Sequence, residues 1–216
     1  MPSITRRTAR TSSRSPAEQR ILATTERLLA AGASFTELGL QRIAAEAGVA
    51  RSTLYGHFPD KSHLLTRLAD TIVGASLAAV TTWAPDGPDG GLDGFIKLFR
   101  EVIAIYRQHA PVLAALDEVS AYDALVAEYW DSRLSQFVAN ARRILVAEQQ
   151  AGRSPASIDA AIASRLNVLG GHRFIVRHVA TDDGSGDESA ARELASTWWY
   201  GILRRPEGAG SGDADH

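Results

Sequence analysis

Apolar residues recur at helical spacing along nearly the whole chain, and the alternating pattern of a half-buried strand is absent. The first stripe is Ile21, Leu22, Thr25, Leu28 and Leu29, and Gly32 ends it. It opens at Ser15-Pro16-Ala17-Glu18. That is a serine able to cap the helix, a proline at the first helical position and a glutamate placed to complete a capping box. Two short segments follow, residues 40–47 before Gly48 and residues 51–58 before Pro59. A longer helix is expected from Asp60 towards Trp83. Residues 85–91, Pro-Asp-Gly-Pro-Asp-Gly-Gly, form the clearest breaker and read as a loop, not a domain boundary. Phe95, Leu98, Phe99, Val102, Ile103 and Tyr106 then fall at i, i+3, i+4, i+7, i+8 and i+11, a helix over 92–109. Pro111 starts a short helix. A long one runs from about 122 to 152 with Leu134, Phe137, Val138, Ala141 and Leu145 on one face. Ser154-Pro155 repeats the cap-plus-proline opening and predicts a helix from there to about Thr181. Residues 182–187 read as a loop and 188 to about 204 as the last helix. The expectation is an all-α chain of about nine helices, with disordered ends at 1–15 and 206–216.

Composition narrows the classes. The 216 residues contain no cysteine, which excludes a disulfide framework, a thiolate-bound metal and thiol catalysis. No uninterrupted apolar run approaches the roughly 18 residues of a membrane span. No apolar segment follows the basic, hydroxyl-rich start, so a secretory signal is not expected and the cytoplasm is the default. The net charge of −2 hides an asymmetry. Residues 1–61 hold nine Lys or Arg and five acids, net +4, and the remainder is net −6. A basic first quarter on an acidic body suits an anionic partner for that quarter alone. A basic tail with no partner is the other reading.

Residues 36–61 read TELGLQRIAAEAGVARSTLYGHFPDK. Two helices of about two turns are joined at Ala47-Gly48-Val49, where glycine supplies the freedom of a tight turn. Ile43, Ala44, Val49 and Leu54 are the expected buried positions. This is a helix-turn-helix pattern, and its second helix carries hydrogen-bonding groups suited to base edges in a major groove.

The pattern resembles the TetR family of bacterial transcriptional regulators. The likeness runs from Arg20-Ile21-Leu22 through Ile43-Ala44, Ala47-Gly48-Val49, Thr53-Leu54-Tyr55 and His57-Phe58 to Lys61 and Leu64-Leu65. It implies a homodimer on double-stranded DNA, with a three-helix head and a six-helix regulatory body holding a ligand pocket. The last two helices would form a four-helix bundle with the partner's. The expected domains are a basic arm at 1–15, the head at 16–60, the ligand-binding and dimerisation body at 61–205 and a tail at 206–216. Ala127-Glu128-Tyr129-Trp130, Ala147-Glu148 with Gly152, Leu166-Asn167 and Trp198 are similar to EthR-type repressors of actinobacteria, which take lipophilic ligands in a long aromatic channel. Two departures stand out. Ala50 and Gly39 occupy helix starts where the family often has a capping hydroxyl, so other partners, phosphate among them, must satisfy those amides.

Candidate residues follow from these patterns. Arg51, Ser52 and Thr53 are placed to read bases, an Arg–guanine pair discriminating by roughly 1–3 kcal/mol. Tyr55 and His57 are candidates for phosphate or thymine-methyl contact, with packing beside Phe58 as the alternative for His57. Gln41, Arg42 and Lys61 are candidates for backbone contact. Arg6, Arg7, Arg10 and Arg14 form either a DNA-following arm or a plain tail. Phe95, Phe99, Tyr106, Trp130, Phe137, Asn140, Asn167 and Trp198 are the ligand-pocket set. Asn167 stands out because it sits among Leu166, Val168 and Leu169 and needs a hydrogen-bond partner, from a ligand or from a neighbouring helix. Gly170-Gly171 weaken a helix interior by about 1 kcal/mol each, and either helix packing at a dimer interface or room for ligand must repay that. His172 and His178 lie on different helix faces without clustered carboxylates, so no metal site is expected. No catalytic arrangement or cofactor motif is found. The sequence thus points to a DNA-binding repressor released by a small, largely apolar effector and without contact with a membrane. A ligand-independent or activating regulator of the same fold, or a lipid-binding protein with a vestigial head, is the alternative.

Overall fold

The computed structural model describes residues 14–206, and these are helical throughout, without strands. Arg6, Arg7, Arg10 and the tail beyond Pro206 lie outside the described residues. Two compact units divide the chain between Lys61 and Ser62.

The first unit contains α1 (Pro16–Ala30), α2 (Leu40–Glu46) and α3 (Arg51–His57). Ser15 Oγ accepts the Glu18 amide at 3.1 Å and fixes where α1 begins. Ile21, Leu22, Leu28 and Leu29 face inward with Phe35, Leu38, Ile43, Ala44 and Leu54. The turn after α2 depends on Gly48 at φ +62°, a left-handed backbone that side chains resist.

The second unit contains α4 (Lys61–Thr82, from the last residue of the first unit), α5 (Gly91–Gln108), α6 (Ala110–Ser120), α7 (Ala124–Gln150), α8 (Ala160–Thr181) and α9 (Asp187–Trp198). A π-helical turn, Trp199–Leu203, follows α9. Helix α5 packs on α9, and α7 packs on α8. The expected α5 stripe is buried from Phe95 to Tyr106. Helix α7 behaves differently: of its 27 residues only Val126, Leu145 and Glu148 are buried. Leu134, Phe137, Val138 and Ala141 are half-buried. Among the described residues α4 is the one helix long and apolar enough in composition to cross a membrane, and it buries Leu64, Leu65, Leu68, Ala69, Ile72 and Val73 within the protein.

The start of α8 differs from the sequence expectation. Ser154 does not cap it; its buried hydroxyl donates to the Ile202 carbonyl at 3.0 Å. The carbonyls of Pro155 and Ile158 accept the Gln149 side-chain amide at 2.9 and 2.8 Å. The helix starts five residues later, where Asp159 Oδ1 accepts the amides of Ala161 and Ile162 at 2.9 and 3.0 Å. The intervening turn is held by Glu148, almost wholly buried, which accepts from Arg153 Nε at 3.0 Å and Arg204 Nη1 at 2.7 Å. Arg153 foremost, with Arg204, holds this carboxyl below its ordinary range.

Candidate functional site

The head presents a polar face on α3. Arg51, Ser52, Tyr55 and His57 are exposed and Thr53 is half-buried, while Gln41 and Arg42 of α2 are exposed. The Arg51 guanidinium lies over the Tyr55 ring, 5.4 Å from its centre. With its amide oxygen turned to that guanidinium, Gln41 accepts from Arg51 Nη1 at 3.1 Å and Nη2 at 3.3 Å. These two contacts restrict a long side chain before any ligand meets it. His57 is engaged by Ser15 Oγ at 3.2 Å and sits 6.2 Å from the Phe58 ring. Lys61 Nζ donates to the Thr36 carbonyl at 2.8 Å and lies over Phe35. Thr36 Oγ1 pairs with Ser34 Oγ at 2.7 Å. The caps are Gly39 and Ala50, and neither makes a side-chain cap bond.

The second unit contains a partly open cavity of about 120 Å³. Phe95, Phe99, Tyr106, Phe137, Asn140 and Trp198, six of the eight expected pocket residues, line it. Trp83 stacks on Phe95 at 4.3 Å, and Trp198 meets the edges of Phe95 and Phe99 at 6.0 and 5.8 Å. Tyr106 and His172 share the wall, and the tyrosine hydroxyl pairs with His172 Nδ1 at 3.1 Å. No Asp, Glu, Lys or Arg lines the cavity. Burial pushes His172 down to about 4 and Tyr106 well above its ordinary value, so both are neutral near pH 7.

Two expected members do not line it. Trp130 is absent from the wall, and its ring lies 5.3 Å from that of His172, which is in it. Asn167 is absent from the wall, and its amide donates to the Ala163 carbonyl one turn earlier at 2.9 Å. Its neighbours Leu166 and Leu169 are exposed, so the apolar register around it is a surface. Sequence reasoning missed Ser164 and Trp83, and it weighed His172 only as a metal ligand. Helical spacing held the signal: Ser164, Val168, Gly171, His172 and Ile175 fall on one face of α8.

The opposite face of α8 exposes Ile162, Leu166 and Leu169, with Phe174 on its flank, the first two at 61 and 68%. Gly170 lies on that face with open space beyond its Cα. In the last turn of α8, His178 does meet carboxylates, contrary to expectation, because the following loop folds Asp182 and Asp187 back onto it. His178 Nε2 is 2.8 Å from Asp187 Oδ1. Arg107 already occupies this group, donating to Asp187 Oδ2 at 2.8 Å and to the Asp182 carbonyl at 2.7 Å. That guanidinium is the main cause holding the Asp187 carboxyl below its usual range.

Helix α7 also reaches α4. Tyr129 Oη and Arg133 Nη2 donate to Asp70 Oδ1 at 2.7 and 2.9 Å. Asn140 in the cavity wall donates to the Val80 carbonyl at 3.1 Å.

The chain matches known proteins in both units. Residues 21–68 match the family described as "Bacterial regulatory proteins, tetR family", and residues 96–202 match "Transcriptional regulator EthR, C-terminal domain". The "HTH-type transcriptional regulator EthR" of Mycobacterium tuberculosis is 30% identical over 169 residues, 76% of each chain. The solved "SmeT-Triclosan complex" shares the fold with a TM-score of 0.68 at 15% identity, covering 94% of this chain and 100% of that one. NalD of Pseudomonas aeruginosa, "the secondary repressor of MexAB-OprM multidrug efflux pump", superposes with a TM-score of 0.66 at 20% identity, covering 88% and 97%. The helix-turn-helix head and the body matching EthR identify this chain as a member of the TetR family of bacterial DNA-binding transcriptional regulators.

Proposed function

We propose that the protein is a repressor that binds a palindromic operator as a homodimer and is released by a small, uncharged, largely apolar effector. The observation that carries this reading is the cavity, which is lined by aromatic and aliphatic side chains, lacks charged ones and lies in the EthR-like unit. The structural neighbour SmeT has been solved with triclosan, and NalD is named a repressor, which supports the same direction.

Arg51, Ser52 and Thr53 read bases in this proposal, with Gln41 and Tyr55 holding the Arg51 fork. Arg42, His57 and Lys61 serve the phosphate backbone. The exposed apolar face of α8 supports dimerisation through the last two helices, since a row of large exposed aliphatic residues wants cover. The two heads of such a dimer must meet successive major grooves, so a small change in their spacing weakens binding. An effector pressing on α7 acts on α4 through Tyr129, Arg133 and Asn140. It need only favour the non-binding spacing by a few kcal/mol. As a regulator of DNA, the protein works in the cytoplasm.

Fluorescence anisotropy tests the release step. A labelled duplex selected on the protein should be displaced by neutral aromatic compounds of one ring. Unchanged anisotropy at saturating, cavity-filling compound would overturn effector release.

A further inference from the structure

Among the described residues, two that line the cavity carry a buried polar atom without a hydrogen-bond partner, Ser164 and Trp83. Ser164 of α8 is only 3% exposed, lines the cavity, and its Oγ has no hydrogen-bond partner. Helical hydroxyls ordinarily return to the carbonyl one turn earlier. Thr25, Ser135 and Thr181 do so here, at 2.8, 2.8 and 2.9 Å. Ser164 does not, so its hydroxyl is left without the usual internal partner. Three other buried groups among the described residues share that lack. Ser76 and Arg133 do not line the cavity. Trp83 does line it, but its indole nitrogen lies against Gly94, where a Cβ would sit 3.5 Å from it.

We propose that Ser164 is the hydrogen-bonding anchor of the cavity and that the effector is an uncharged carbonyl compound whose oxygen accepts the Ser164 hydroxyl. This rests on the effector reading above and specifies its chemistry. A buried hydroxyl without a partner is destabilising, and a ligand acceptor removes that penalty at the moment of binding. A carbonyl suits the site better than an alcohol. It needs only a donor, which Ser164 supplies, whereas a ligand hydroxyl must also place its own proton. A carboxylate or an amine is excluded by the same wall, which holds no counter-charge. Size narrows the class further. An engineered apolar cavity of about 150 Å³ takes benzene, so about 120 Å³ is on the scale of a single ring.

Acetophenone, ethylbenzene and benzoate are one-ring probes of similar size that offer, in turn, a neutral acceptor, no acceptor and an anion. Their affinities can be read from the Trp198 indole N–H signal in proton–nitrogen spectra of the full chain, assigned with Trp198→Phe. Acetophenone is expected to bind roughly three- to tenfold more tightly than ethylbenzene, and benzoate not at all. Ser164→Ala should abolish the preference while leaving the ligand-free melting temperature equal or higher. That pairing separates an anchor from a structural serine. Equal binding of acetophenone and ethylbenzene, or a preference that survives Ser164→Ala, overturns the anchor and leaves the cavity as a ligand site. Failure of both neutral probes to bind overturns the cavity reading and the anchor with it.

Discussion

Gly171 offers a substitution whose effect can be worked out in advance. It lies inside α8 and faces Trp198 across the cavity wall. A Cβ built there would be 3.7 Å from Trp198 Cζ2 and 3.9 Å from Leu194 Cδ2, ordinary van der Waals separations. Gly171→Ala therefore adds a methyl group without displacing a neighbour. Replacing glycine by alanine in a helix interior contributes about 1 kcal/mol. Burying the methyl contributes up to about 0.8 kcal/mol more. The expected gain is about 1–2 kcal/mol, and at roughly 2–4 °C per kcal/mol the melting temperature should rise by roughly 2–8 °C. The same methyl takes room from the cavity, so the affinity for one-ring compounds should fall. Calorimetry of the ligand-free protein and a binding titration measure the two effects. A lower melting temperature would refute the reasoning. It would mean that α8 and Trp198 approach as closely as glycine allows and that the position serves packing, not ligand volume.

Arg51→Ala should weaken binding to a selected operator by about tenfold or more, measured by anisotropy, with the melting temperature little changed because the side chain is exposed. Leu166→Glu, at a position 68% exposed in the protomer, should convert a dimer to a monomer in sedimentation equilibrium. Glu148→Ala should lower stability by about 2–3 kcal/mol in urea unfolding near neutral pH, since it leaves Arg153 and Arg204 without their shared carboxylate. Glu148 titrates below its ordinary 4.5 in the folded chain. Its contribution is therefore complete above about pH 4.5 and is lost as pH falls through the lowered value. Glu148→Ala should accordingly flatten the acid limb of the stability curve. An acid limb as steep in the variant as in the parent would remove Glu148 from that role.

The all-helical class was legible because long stripes such as Phe95 to Tyr106 repeat one period without interruption. The helix-turn-helix was legible because its glycine turn and small buried positions are local. What failed depends on partners distant in sequence. Ser154 looks like a cap until Ile202, 48 residues on, takes its hydroxyl. Asn167 looks like a ligand group until the Ala163 carbonyl takes its amide and the wall passes through Ser164, Val168 and Gly171 instead. His172 lines the wall where Trp130 was expected, and the two rings lie 5.3 Å apart. The carboxylates beside His178 come from a loop whose course no periodicity records. The half-buried face of α7 carries a related lesson: a stripe that reads as core can be the wall of a cavity, and sequence period does not distinguish the two.

Selection of random duplex DNA on the full-length protein, read by sequencing, bears most directly on regulation through DNA. Run at low salt, where phosphate attraction is strongest, it should enrich an inverted repeat whose half-sites lie one helical turn apart. The same selection with Arg51→Ala should blur the bases within each half-site. Recovery of the pool without sequence enrichment would contradict the proposed operator recognition, leaving a head that holds DNA without reading it.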